Sequence, residues 1–114
     1  MHEMSLAVAL MEEINAIASQ NQVERIQEVE LHIGVLKQVV PVVMQEAFNA
    51  ASIGTPAEGA LLKQVAIDAQ ASCRSCKNIF TPEPDNFLCP VCGQGLIDIL
   101  KGEEFILQSL TCES

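Results

Sequence analysis

The chain is 114 residues long and carries 15 acidic and 6 basic side chains, for a formal net charge of −9. At 49% hydrophobic residues it is too apolar to be intrinsically disordered, and its length allows one ordinary domain with a small appendage. Strong acidity and the absence of Trp and Tyr disfavour a nucleic-acid partner, which would need basic or stacking surfaces. No apolar run reaches the ~18–20 residues of a membrane span, so we expect no membrane association.

The first half of the chain predicts a helix, a strand and a second helix. Apolar residues recur at helical spacing from residue 4 to about 20, with Glu3 in the first turn. Residues 28 to 35 alternate, as expected of a half-buried strand with a wet face that includes His32. Pro41 suits the start of a second helix, and Gly54 suits its left-handed end. The apolar faces predicted for these elements are Met4, Ala7, Val8, Met11 and Ile14, widened by Leu6, Leu10 and Ile17; Val29, Leu31, Ile33 and Val35; and Val40, Val43, Met44, Ala47, Phe48 and Ala51.

The second half predicts two further long strands on either side of a cysteine-rich segment. Residues 61 to 69 form one strand, with Leu61, Val65, Ile67 and Ala69 on its apolar face, and residues 105 to 112 form the last. A short strand over 96 to 100 closes the segment between them. The predicted fold is α+β: a small two-layer domain of about three strands and two helices with an inserted zinc-ribbon-like domain. We expect the α+β domain to comprise residues 1–70 plus 103–114, and the zinc-binding domain residues 71–102.

Four of the five cysteines form two C-x2-C pairs, Cys73 with Cys76 and Cys89 with Cys92, and twelve residues separate the pairs. Such spacing brings four thiolates onto one tetrahedral metal, and zinc suits them best. Four protein ligands leave no open position, so we expect a structural zinc site that holds together a segment too short to bury a core. An iron–sulfur site, redox thiols and chance are the alternatives. Cys112 fits an ordinary strand residue, and His32 a solvated strand histidine.

His2 offers a second metal-binding pattern. A terminal amine, the next backbone amides and an imidazole can chelate one ion, and only a strongly Lewis-acidic, square-planar ion such as Ni(II) or Cu(II) displaces amide protons. Glu3 adds a nearby carboxylate. The alternative is a frayed terminus without function.

The sequence also resembles the HypA/HybF family of nickel metallochaperones in hydrogenase maturation. The resemblance spans nearly the whole chain; its most specific parts are the opening Met1-His2-Glu3 and the paired cysteines that end in Cys92-Gly93, while Val42 departs from the acidic residue of many relatives. The resemblance implies nickel on the Met1 amine, the His2 imidazole and backbone amides that include Glu3. It further implies structural zinc on Cys73, Cys76, Cys89 and Cys92.

We therefore expect a non-enzymatic, cytoplasmic metal carrier. The resemblance implies that it binds Ni(II) and delivers it to the large subunit of a [NiFe]-hydrogenase. The resemblance implies a HypB-type GTPase as partner, and some relatives also serve urease. A homodimer is one assembly that the sequence leaves open. The rival hypotheses are a zinc-ribbon interaction module of a transcription or RNA assembly, and a thiol oxidoreductase, whose cysteines would have to be free of metal.

Overall fold

The computed structural model describes residues 2–113. Within them, residues 2–31, 39–65 and 107–113 form one compact unit, here called the helical unit. Residues 32–38 and 66–106 form a second compact unit, here called the cysteine unit. No helix among the described residues combines the length and the apolar character that crossing a bilayer requires.

Two helices pack against each other in the helical unit. Helix α1 spans His2–Gln20, and helix α2 spans Pro41–Ala51 with the proline in its first turn, as predicted. Their buried faces differ somewhat from the predicted ones, because Met4, Val8 and Val40 are exposed, whereas Leu10 is buried as predicted. The fully buried side chains of the two helices are Ala7, Leu10, Met11, Ile14 and Ala18 on α1 and Met44, Ala47 and Phe48 on α2.

Three long strands form the first sheet, in the order β2-β1-β6. Strand β1 spans Ile26–Gly34, β2 spans Leu61–Ile67 and β6 spans Phe105–Cys112. Along β1, Val29, Leu31 and Ile33 are buried as predicted. Val35 is exposed, contrary to prediction, because the strand ends at Gly34 and a single 3-10 turn over Val35–Lys37 follows.

The predicted apolar face of β2 is wrong at its first residue, whereas Val65 and Ile67 are half-buried and the intervening Ala66 is exposed. Leu61 is 60% exposed, whereas Leu62 is 5% exposed and faces the core. The strand begins with two adjacent leucines, and successive side chains of a strand point to opposite faces. Either leucine could therefore face the core, and the sequence does not distinguish them.

The predicted strand over 61 to 69 is also too long, because β2 ends at Ile67 and a separate strand β3 spans Gln70–Cys73. Strand β3 lies at the centre of a second sheet, with β4 over Ile79–Phe80 on one side and β5 over Ile97–Lys101 on the other. Both pairings are antiparallel, and Cys73 is opposite Ile97. The α+β class and the short strand near residues 96 to 100 are therefore confirmed, whereas β3 and β4 were not predicted.

Candidate functional site

The first cysteine pair lies on a tight turn that leaves the end of β3. The backbone N–H of Lys77 donates to the Cys73 carbonyl at 3.0 Å, and the Cys73 N–H donates to the Asn78 carbonyl at 2.9 Å. This closed turn requires Lys77 to adopt a positive φ of 65°. The turn carries Cys73 and Cys76 on one loop and presents both sulfurs to the same side.

The second pair repeats the same arrangement. The Gly93 N–H donates to the Cys89 carbonyl at 2.8 Å, and the Cys89 N–H donates to the Gln94 carbonyl at 2.9 Å. Gly93 has a φ of 75°, which glycine adopts without a steric penalty. The two loops therefore have equivalent backbone hydrogen bonds, and we call them the first and second knuckle.

The knuckles bring their four sulfurs together. The Sγ atoms of Cys73, Cys76, Cys89 and Cys92 all lie within 4.8 Å of one another, and two distances between the pairs are 3.5 Å and 3.7 Å. A tetrahedral zinc with Zn–S bonds of about 2.3 Å places its sulfurs about 3.8 Å apart, whereas a disulfide needs about 2.05 Å. The cluster is therefore consistent with a zinc site and too open for disulfides.

The electrostatics of the cluster favour a cation. Backbone N–H groups of Cys92 and Val91 hold the pKa of the Cys89 thiol at about 6. The N–H of Gln94 acts to lower the pKa of Cys92, but the neighbouring sulfurs, Cys73 first among them, raise it to about 12. Ionisation of one thiol in the cluster raises the pKa of its neighbours, because like charges repel. A divalent cation among the sulfurs would remove this repulsion and allow all four to become thiolates.

An ion pair connects the first knuckle to strand β5. The guanidinium of Arg74 donates to Asp98 Oδ1 from Nε at 2.9 Å and from Nη2 at 2.7 Å. This hydrogen bond lowers the pKa of the Asp98 carboxyl below its usual value. Sequence reasoning missed the pair, because nothing local relates residues that are 24 positions apart.

The proposed nickel ligands lie at the start of α1, apart from Met1, which is outside the described residues. His2 begins the helix with its side chain 50% exposed, and the Glu3 side chain beside it is only 12% exposed. Glu3 Oε2 accepts a hydrogen bond from the Val40 N–H at 3.1 Å and lies 3.8 Å from His2 Nδ1. The Val40 N–H, and after it the N–H of Glu3 itself, lower the pKa of the Glu3 carboxyl.

The remaining candidate residues lie elsewhere. Among residues 2–113, the four-cysteine group is the only cluster of three or more His, Cys, Asp or Glu side chains with metal-binding geometry. Cys112 lies exposed in β6 and outside that cluster. His32 is half-buried in β1.

Comparisons with known proteins agree with this arrangement. Residues 1–112 match the model of the HypA family, which is described as hydrogenase/urease nickel incorporation metallochaperones. The chain is 41% identical over 113 residues to a hydrogenase maturation factor HypA from Desulfitobacterium hafniense, with 99% of each chain covered. It is 39% identical to the factor of the same name from Chlorobium limicola, with 99% of this chain and 97% of the relative covered.

Two solved structures have the same fold. The chain is similar to the solution structure of the nickel metallochaperone HypA from Helicobacter pylori, with a TM-score of 0.72 and 26% identity. That match covers 98% of this chain and 97% of the other. A second HypA solution structure gives a TM-score of 0.64 at 26% identity, with 96% and 92% covered.

Proposed function

Since the chain belongs to the HypA family of nickel metallochaperones, which act in hydrogenase maturation, we propose that it carries Ni(II) on its N-terminus and releases it to a [NiFe]-hydrogenase large subunit. The match of the family over residues 1–112 is the observation that carries this proposal. A urease client, named in the family description, is a further target of the same chemistry.

In this proposal nickel is bound by the Met1 amine, the His2 imidazole and backbone amides that include Glu3. The start of α1 supports this assignment, because the first N–H groups of a helix have no intrahelical acceptor. Nickel can displace the protons of the His2 and Glu3 amides without breaking a helical hydrogen bond. The exposed imidazole of His2 is accessible to an ion and to an acceptor protein.

Release follows from the same geometry. A square-planar ion on the end of the chain can exchange its ligands one at a time with an acceptor, so its affinity need not be overcome in one dissociation step. No group-transfer chemistry is required of this chain, which acts as a carrier and not as an enzyme. We propose the cytoplasm as its compartment, a HypB-type GTPase as its partner, and a homodimer as one form of its assembly.

Zinc on Cys73, Cys76, Cys89 and Cys92 has a structural role in this proposal. The sulfur spacing fits a tetrahedral ion, and four thiolates leave no coordination position for a substrate. Bound zinc would hold together the proposed zinc-binding domain, residues 71–102, while residues 1–70 and 103–114 form the nickel-binding domain. A metal that is bound this way contributes directly to folding.

The decisive experiment compares nickel binding by three zinc-loaded proteins: the wild type, His2→Ala, and a wild type with several residues added before Met1. We expect one tightly bound nickel per chain on the native protein and severe loss in both variants. If the extended protein binds nickel as tightly as the native one, the terminal chelate is wrong. The rival zinc-ribbon interaction module would then account better for the chain.

A further inference from the structure

The first turn of α1 is connected to the start of α2 by the side chain of one proposed nickel-site residue. Val40 is the N-cap of α2, but a valine side chain cannot accept a hydrogen bond, and Pro41 after it has no N–H. Glu3 from the other helix instead accepts from the N–H of the N-cap residue itself, as the carboxylate of a capping box does, with Oε2 at 3.1 Å from the Val40 nitrogen. A carboxylate at this end of a helix is also favoured by the helix dipole.

The same carboxylate oxygen lies beside the proposed imidazole ligand. Glu3 Oε2 is 3.8 Å from His2 Nδ1, too far for a hydrogen bond and an ion pair only when the imidazole is protonated. In the neutral form that binds a metal, the carboxylate acts on His2 by fixing the helical turn that both residues share. The carboxylate is largely buried, whereas the imidazole is half exposed. Glu3 is thus the member of the terminal pair whose side chain is held in place by the rest of the fold.

We infer that Glu3 is a positioning residue for nickel: its carboxylate, held by the Val40 N–H, fixes the first turn of α1 at the start of α2 and orients His2. This inference rests on the proposed nickel site. It assigns two roles to Glu3. The backbone amide binds the ion, and the side-chain carboxylate keeps its hydrogen bond to the Val40 N–H. Groups that orient metal ligands in this way typically change metal affinity 10- to 100-fold when they are removed.

The test removes each end of the hydrogen bond separately. Glu3→Ala deletes the acceptor, and Glu3→Gln retains an acceptor oxygen of the same reach. Val40→Pro deletes the donor at a φ of −84°, which proline tolerates, and Val40→Ala shortens the same side chain but keeps the N–H. Val42→Ala, on an exposed residue in the first turn of α2, serves as the neutral control. Nickel affinity of each zinc-loaded protein is measured by calorimetry, and folding is checked by far-ultraviolet circular dichroism.

We expect Glu3→Ala to bind nickel about tenfold more weakly than Glu3→Gln, and Val40→Pro about tenfold more weakly than Val40→Ala. The double variant Glu3→Ala/Val40→Pro should be no weaker than either single variant, because both delete the same bond. Relative to the wild type, the NMR signal of the Val40 amide proton should shift in Glu3→Ala and keep its position in Glu3→Gln. If Val40→Pro does not fold, this measurement still tests whether Glu3 accepts the hydrogen bond from Val40.

Three outcomes would overturn the inference. Equal affinity of Val40→Pro and Val40→Ala would show that the donor does not matter, and Gln as weak as Ala would show that charge acts instead of the hydrogen bond. An unmoved Val40 amide in Glu3→Ala would show that the bond is absent in solution. His2→Ala distinguishes these failures from that of the proposed function, since nickel binding lost in His2→Ala but unchanged in Val40→Pro would leave the terminal site intact.

Discussion

Gly34→Ala is the substitution for which the structure predicts the largest cost at the end of β1. A Cβ atom at position 34 would lie 2.1 Å from both the carbonyl carbon and the oxygen of Gly102, and 2.6 Å from the nitrogen of Glu103. The backbone of Gly34 is extended, with φ −68° and ψ 140°, so alanine meets no conformational penalty there. The entire effect must therefore come from lack of space.

Backbone atoms cannot rotate aside as a flexible side chain can, so the two segments would have to separate by about an ångström. That separation strains two backbone hydrogen bonds, from the Gly34 N–H to the Glu104 carbonyl at 2.7 Å and from the Leu36 N–H to the Gly102 carbonyl at 2.8 Å. Overpacking typically costs about 1–3 kcal/mol, and each weakened hydrogen bond adds up to about 1 kcal/mol. We expect Gly34→Ala to lower the free energy of unfolding by about 2–5 kcal/mol.

Urea denaturation followed by circular dichroism measures this loss. Gly59→Ala is the matched control, because a Cβ there meets nothing within 4 Å and only the positive φ of 78° is penalised. The control should lose about 1–2 kcal/mol. If Gly34→Ala proves no less stable than Gly59→Ala, the close backbone approach inferred for Gly34 is wrong.

Three further predictions concern the cysteine unit. Lys77→Gly should stabilise the zinc-loaded protein by up to about 1 kcal/mol and Gly93→Ala should destabilise it by about 1–2 kcal/mol in urea titrations, since only glycine takes a positive φ freely; a change of the same sign in both variants would refute the equivalence of the knuckles. An NMR titration should give Asp98 a pKa below its usual value that rises in Arg74→Ala; the ion pair thus adds stability above the unfolded-state pKa, lost as the pH falls through the folded-state pKa. A chelator should release about one zinc per chain from both wild type and Cys112→Ser, and a lower zinc content in the variant would place Cys112 in the site.

The helices could be predicted from the sequence because their apolar residues repeat over about five turns in α1 and about three in α2. Their orientation was harder to predict, since α1 carries apolar side chains around more than half of its circumference. Met4 and Val8 are as hydrophobic as the buried Leu10, and only the position of the packing partner decides which of them are covered.

Strands β3 and β4 could not be predicted, because they span only four and two residues. Alternation over so few positions is not distinguishable from chance. Their pairing depends on the cysteine knuckles, which bring Ser72 opposite Ile79 and Cys73 opposite Ile97. The local signal therefore predicted the metal-binding geometry better than the sheet that supports it.

The four-cysteine cluster was predictable because each half of it is local, with two cysteines three residues apart on one turn. The contact between Glu3 and Val40 was not, since 37 positions separate these residues and the donor is a backbone group common to almost every residue. Sequence patterns identify ligands by residue type, but nearly every residue has a backbone N–H, so the sequence does not show which of them is a donor. For this reason the groups that hold the ligands in place became visible only in the fold.

The two knuckles differ in one respect that leads to a last prediction. Their hydrogen bonds are the same, yet the position with positive φ is Gly93 in the second knuckle and Lys77 in the first. A left-handed conformation costs a residue with a Cβ about 1–2 kcal/mol, so the first knuckle needs the metal more than the second does. After chelation we expect the amide of Lys77 to exchange its hydrogen sooner than that of Gly93, as measured by NMR. Equal exchange would mean that the metal-free backbone holds both turns equally well, and that the strain assigned to Lys77 is relieved elsewhere.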